Sequence, residues 1–190
     1  MTSAADVADF IAAQPAMLDR LIALASLCLP DAWIGAGFVH NAVWDALHGR
    51  VPGVAGLADM DVVFFDPADL GSEREEAVEG ALAALRPGVH WSARNQARMH
   101  RCNADPPYRD TADAMRHWPE TATAVVVRLR AGRVELLMPH GIEDLVRLVL
   151  RPPPTTASRP GHLEVYRQRV EAKGWVRRWP SLTVGCSATI

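Results

Sequence analysis

Leu57-Ala-Asp-Met-Asp-Val-Val-Phe-Phe-Asp66 decides how this 190-residue chain folds. Met60 to Phe65 reads as a buried strand, with two carboxylates, Asp59 and Asp61, at its entry end. Side chains on a strand repeat every two residues, so both acids point to one face. Like charges on one face repel, and a cation between them relieves the repulsion. Mg²⁺ is the natural choice, with Mn²⁺ as the alternative, because it takes hard oxygen ligands and completes its shell with substrate phosphates. Just upstream, Trp33-Ile-Gly-Ala-Gly37 reads as a short strand running into a glycine turn and then a helix. A glycine turn followed by an Asp-x-Asp strand points to a metal-dependent nucleotide site.

Working outward, Ala4 to Leu29 is amphipathic and predicts one or two helices, with Pro15 at a break or fresh start. Phe38 to Leu47 is helical and Gly49 ends it. Asp69 to Leu85 predicts a helix capped by Ser72, with Glu73, Glu75 and Glu76 at its positive end. Val89 to Arg94 alternates like a strand, and Asn95 to Cys102 predicts a short helix or turn. Thr111 to His117 is a short helix. Thr121 to Arg130 and Arg133 to Met138 predict a hairpin around Ala131-Gly132. Gly141 to Leu150 reads as a helix, residues 151–161 as a Pro-rich linker, and His162 to Lys173 as a last helix before a Trp-rich tail. Ser181 to Ile190 carries no charge or clear periodicity and predicts disorder. The order predicts one α/β (α+β) domain over residues 1–190, a mixed sheet flanked by helices.

Composition narrows the functional classes. The chain is 49% hydrophobic and 22% charged, enough for one well-buried core. A net charge of -2 supplies no global basic field, so nucleic acid is not indicated as a partner. Cys28, Cys102 and Cys186 fit neither a disulfide framework nor a zinc spacing, which predicts a reducing compartment. The start lacks the basic region of a signal peptide, and the longest apolar stretch, Leu21 to Pro30, is too short to span a bilayer. The expectation is a cytoplasmic protein with no membrane partner.

Three runs then carry a resemblance: Ile34-Gly-Ala-Gly-Phe-Val-His-Asn-Ala-Val-Trp-Asp45, Asp59-Met-Asp-Val-Val-Phe-Phe-Asp66 and Asn95-Gln-Ala-Arg-Met-His100. Trp118-Pro-Glu-Thr121, Pro139-His-Gly-Ile-Glu-Asp-Leu145 and Lys173-Gly-Trp175 add to it. Together, over residues 17 to 182, they resemble a bacterial nucleotidyltransferase-like family formerly classed as a domain of unknown function. That family is similar to the wider polymerase-β-like nucleotidyltransferase superfamily. The resemblance implies the nucleotidyltransferase fold, an NTP partner, and Asp59 and Asp61 as catalytic ligands of two Mg²⁺ ions. It also implies that Gly35 and Gly37 cradle phosphates. Glycines allow close backbone approach, and a helix N-terminus offers unpaired N–H groups to an anion. A third carboxylate is expected on the next strand, but Val89 to Arg94 has no acid; Asn95 at its end and Glu135 on a later strand are the substitutes.

Asn41, Asn95 and Arg98 are the further candidates for nucleotide contact, since amides and guanidinium groups suit a base or a phosphate. His100 is a structural residue or a general acid or base. Lys173 is a phosphate contact or an ordinary helix C-terminal charge. Trp44, Trp91, Trp118, Trp175 and Trp179 read as core or interface. The leading expectation is a Mg²⁺-dependent enzyme that moves a nucleoside monophosphate from an NTP to an acceptor hydroxyl of unspecified identity. The alternative is a non-catalytic nucleotide-binding or regulatory module of the same fold.

Overall fold

Ser3 opens the first helix with a capping box. Its hydroxyl accepts the Asp6 N–H at 3.1 Å, and the Asp6 carboxylate accepts the Ser3 N–H at 3.1 Å. The computed structural model describes residues 1–54, 57–103, 105–154 and 161–185. Helix α1 (Ala4–Ala12) is followed by α2 (Pro15–Ser26), with Pro15 in the first turn, where its missing N–H costs nothing. The break expected at Pro15 is where the two helices part.

The sheet contains β1 (Trp33–Gly35), β2 (Met60–Phe64), β3 (Trp91–Asn95), β4 (Val126–Arg130) and β5 (Arg133–Leu137). Its order is β3-β2-β1-β4-β5. The β2–β3 pair is parallel and the other pairs are antiparallel. A parallel pair needs a crossover, which α4 (Ser72–Leu85) provides. The hairpin turns through Ala131 and Gly132, both at positive φ, as a two-residue loop matched to sheet twist requires. This mixed sheet flanked by helices bears out the expected fold class.

The two sheet faces differ. Ile34, Val62, Phe64, Ala93 and Val127 pack with Val7, Ile11 and Leu21 of α1 and α2 and with Val78 and Leu82 of α4 in the main core. Trp33, Val63 and Val126 lie on the other face, in a smaller cluster with Met115 of α6 (Thr111–Met115). Helix α3 (Gly37–Leu47) follows β1, and α5 (Gln96–Asn103) follows β3. Gly49, at φ 66°, ends α3 as expected.

Four expectations change. Ser72 is the first residue of α4, and Gly71 takes the cap position without a side-chain bond. The strand expected from Thr121 starts at Val126. The Thr123 hydroxyl donates to buried Glu120 at 2.8 Å and the Ala124 N–H to the Glu120 carbonyl at 3.2 Å, a local turn that competes with extension. The helix expected over Gly141 to Leu150 is only α7 (Glu143–Val146); Leu148 at φ 60° ends it. Val149–Leu150 then forms β6, parallel to β7 (Thr183–Val184), so the tail expected to be disordered is ordered through Gly185. Residues 155–160 of the expected linker, and 186–190, lie outside the described residues.

Helix α8 (His162–Lys173) and the single turn α9 (Trp175–Arg178) close the fold. Trp175 and Trp179 stack edge-on against Trp44 of α3, with ring centroids 6.0 and 5.1 Å apart. The Trp179 indole donates to Asp45 at 2.8 Å. Burying each such ring is worth roughly 1.5–3 kcal/mol, which anchors the C-terminal segment to α3. Among the described residues no helix is long and apolar enough to cross a membrane.

Candidate functional site

Strand register builds the site. Asp61 pairs with Ser92 and Val63 with Arg94 across β2 and β3. Paired residues share a face, so Asp59, Asp61, Val63 and Arg94 look out of the same side of the sheet. That side opens into a cleft of about 730 Å³. Its floor includes Asp59, Asp61 and Arg94. Ala36, Gly37 and Asn41 of the β1–α3 turn and Gln96 and Met99 of α5 also line it. His117 and Trp118 line it as well, as do Arg169 and Lys173 of α8 and Arg178 of α9.

Asp61 is held above the usual carboxylate range, first by burial and then by the negative charge of Asp59; Lys173, Arg94 and Arg169 oppose the rise. Neither Asp59 nor Asp61 makes a hydrogen bond or salt bridge with another described residue. Two unpartnered carboxylates lining one cleft, one of them resisting ionisation, are what a divalent cation stabilises, so the donor set fits Mg²⁺ or Mn²⁺. Among the described residues no group of three or more His, Cys, Asp or Glu side chains could hold a metal. Other ligands would therefore be water and phosphate oxygens, as Mg²⁺ commonly takes.

The turn from β1 into α3 is strained. Ala36 sits at φ 50° and ψ -124°, a conformation that disfavours a side chain. It makes no side-chain cap. The Val39 and His40 N–H groups donate to the Ala36 carbonyl, each at 3.1 Å, so Gly37 and Phe38 carry the open N–H donors beside the cleft. A Cβ on Gly37 would press to 3.2 Å from Leu57 and 3.4 Å from the Asn41 amide. Gly35 has a different reason. It pairs with Val126, and a Cβ there would overlap the Val126 side chain. Gly35 permits the close approach of β1 and β4 and is not among the cleft-lining residues.

Asn95 and Arg98 depart from expectation. Asn95 pairs with Phe64, which puts it on the opposite face, fully buried. Its side chain accepts the Asp66 and Ala97 N–H groups at 3.0 and 3.1 Å and donates to the Asp66 and Asp69 carbonyls, each at 2.8 Å. The Arg98 guanidinium grips Glu75 through two bonds of 2.8 and 2.7 Å. Both side chains are spent on structure, and neither lines the cleft. Glu135 holds Arg128 at 2.7 Å on the β4–β5 hairpin, also outside the cleft lining. From the same stretch of chain, Arg94 and Gln96 take the cleft positions.

Of the cations from α8 and α9, the sequence reading named Lys173 and missed Arg169 and Arg178. Arg169 pairs with buried Glu120 at 2.7 Å and Arg178 with Asp45 at 3.2 Å. Lys173, one helical turn beyond Arg169, makes no salt bridge with a described residue. That i, i+4 spacing was the available signal, though it does not say which surface the helix meets. His40 is buried against Trp44, with ring centroids 4.6 Å apart. Burial, then the charges of Lys173, Arg169 and Arg178, push its imidazole down to about 3, so it is neutral near pH 7.

Residues 23–184 match the family model described as nucleotidyltransferase. No curated protein sequence matches the chain. Among solved structures, the chain is similar to a protein whose NMR structure reveals a CCA-adding enzyme head domain: 30% identity and a TM-score of 0.85 over 97% of each chain. It shares a fold with the Thermotoga maritima CCA-adding enzyme complexed with tRNA: 15% identity, TM-score 0.57, covering 96% of this chain and 42% of that one. It also resembles the Bacillus stearothermophilus CCA-adding enzyme in complex with CTP: 15% identity, TM-score 0.50, 85% of this chain and 39% of that one. The chain thus spans about two fifths of the length of those enzymes. With the family model matching over most of its length, the chain belongs to the nucleotidyltransferase family.

Proposed function

We propose that this protein is a Mg²⁺-dependent enzyme that moves a nucleoside monophosphate from an NTP to an acceptor hydroxyl, releasing pyrophosphate. Family membership supports nucleotidyl transfer as the chemistry. The observation that carries the rest is the cleft itself, where Asp59 and Asp61 face an uncapped helix start and the side chains of Arg94 and Lys173. Asp59 and Asp61 would hold the metal, which when bound neutralises phosphate charge and orients the reacting oxygens. The Asn41 side chain and the Gly37 and Phe38 N–H groups at the start of α3 would bind the outer phosphates. Lys173 and Arg169 would add positive charge opposite the carboxylates. Gly35 supports this arrangement by holding β1 against β4.

A second reading, nucleotide binding without catalysis, has one observation in its favour. Among the described residues no third carboxylate joins Asp59 and Asp61. Pyrophosphate release separates the two. With Mg²⁺ and each NTP, the wild type should release pyrophosphate, while Asp59→Ala and Asp61→Ala should not. Nucleotide binding by the wild type with no pyrophosphate released across a panel of hydroxyl acceptors would favour the binding module.

A further inference from the structure

His117 lies at the C-terminal end of α6 and lines the cleft that holds Asp61. Two bonds fix the turn: the His117 N–H donates to the Ala114 carbonyl and the Trp118 N–H to the Met115 carbonyl, each at 3.1 Å. Met115 is fully buried in one cluster with Val63. Val63 stands two residues beyond Asp61 on the same sheet face, and His117 stands two residues beyond Met115. His117 thus lines the same cleft as the carboxylates.

The ring is held from behind. His117 Nδ1 lies 3.2 Å from Asp105 Oδ2, and the Asp105 side chain is 1% exposed. The Tyr108 hydroxyl donates to the same oxygen at 2.6 Å and accepts from the Asn103 amide at 3.0 Å. The Tyr108 ring packs on the imidazole, with centroids 5.1 Å apart. A buried carboxylate at Nδ1 selects the tautomer with its proton on Nδ1 and leaves a lone pair on Nε2. The side chain is 22% exposed, and Nε2 has no hydrogen-bond partner among the described residues. Around it stand Asp105 and Tyr108 of the loop before α6, His100 of α5 edge-on to Tyr108, neighbouring Arg116, and His140 before α7.

We infer that His117 is the general base of the transfer, supplying the function that no third carboxylate provides, and that Asp105 is its positioning residue. This rests on the nucleotidyltransferase reading. The acceptor hydroxyl gives its proton to Nε2 as its oxygen bonds to the α-phosphorus. The bond from that phosphorus to the bridging oxygen breaks, and pyrophosphate leaves with the electron pair. The imidazolium then returns the proton to solvent.

The test measures Mg²⁺-dependent pyrophosphate release from the NTPs, in water and across the same panel of hydroxyl acceptors, beside nucleotide binding by calorimetry. His117→Gln should bind Mg²⁺–NTP like the wild type and release pyrophosphate about 100-fold more slowly. The wild-type rate should decline on acidification, and His117→Gln should lose that decline. A wild-type rate and pH profile in His117→Gln would overturn the inference and leave the function standing. A wild type that binds no nucleotide, or binds without releasing pyrophosphate, would overturn the catalytic reading and this inference with it. If His117→Gln does not fold, ¹⁵N imidazole spectra of the wild type decide. A proton on Nδ1 and an Nε2 resonance that moves when Mg²⁺–NTP is added support the assignment; a proton on Nε2 rejects it.

Discussion

Asp61 is worth more to chemistry than to stability. Its raised proton affinity means that the folded, metal-free protein resists the negative charge that the unfolded chain carries freely at neutral pH. For an acid raised in the folded state, the penalty is absent below the ordinary value of 3.8 and grows as pH rises through the folded value. Asp61→Asn should therefore raise the Tm of the metal-free protein at pH 7, and the gain should vanish well below that ordinary value. A lower Tm at pH 7 would show that the carboxylate has a stabilising partner. At this scale the shared face of Asp59 and Asp61 was legible, because period two depends on nothing beyond the strand itself. Asn95 could not be placed from the sequence because the face of β3 is set by its register with β2, nor Arg98 because its partner Glu75 lies on α4. Once Asp61 pairs with Ser92, Arg94 must face the cleft and Asn95 must not.

Among the elements, the edge of the sheet at β3 depends most on side chains. Its outward N–H groups at Ala93 and Asn95 are taken by Glu79 and Glu75 of α4, each at 2.8 Å. Helix α4 thus covers an edge that would otherwise be an open pairing template. Burial raises the proton affinity of Glu75, but bonds from Arg98 and the Asn95 N–H outweigh it and hold the carboxyl below its usual range. Glu75→Ala strands both donors and should cost about 2–3 kcal/mol in urea unfolding. A loss under about 0.5 kcal/mol would mean that water replaces the carboxylate. Most elements were legible from periodicity, and the hairpin from Ala131-Gly132. The shortened α7 and the β6–β7 pair were not, because a strand of two residues forms only when a distant segment comes alongside it.

At the scale of the whole molecule, the C-terminal segment is docked by aromatic packing around His40, and that docking delivers Arg169, Lys173 and Arg178 to the cleft. These partners lie more than 100 residues away from α3 in the chain, so no local pattern predicts them. The same docking makes the fold sensitive to acid. His40 is depressed to about 3 from an ordinary 6.5, so the unfolded chain binds its proton first as pH falls. The stability it confers is complete above 6.5 and is lost as pH drops toward about 3, at up to roughly 1.4 kcal/mol per pH unit. His140, also lowered by burial, acts in the same direction. The urea midpoint should fall between pH 7 and about pH 5, and His40→Gln should flatten that fall. An equal fall in the variant would place the acid-sensitive group elsewhere.

Calorimetric titration of ATP, GTP, CTP and UTP into the wild type and Asp61→Asn, with and without Mg²⁺, tests the metal-and-nucleotide cleft most directly. At least one NTP should bind the wild type only when Mg²⁺ is present, and the variant should lose that binding. Failure of every nucleotide to bind the wild type, or unchanged Mg²⁺-dependent binding in Asp61→Asn, would contradict the assignment of Asp59 and Asp61 as the metal end of the site.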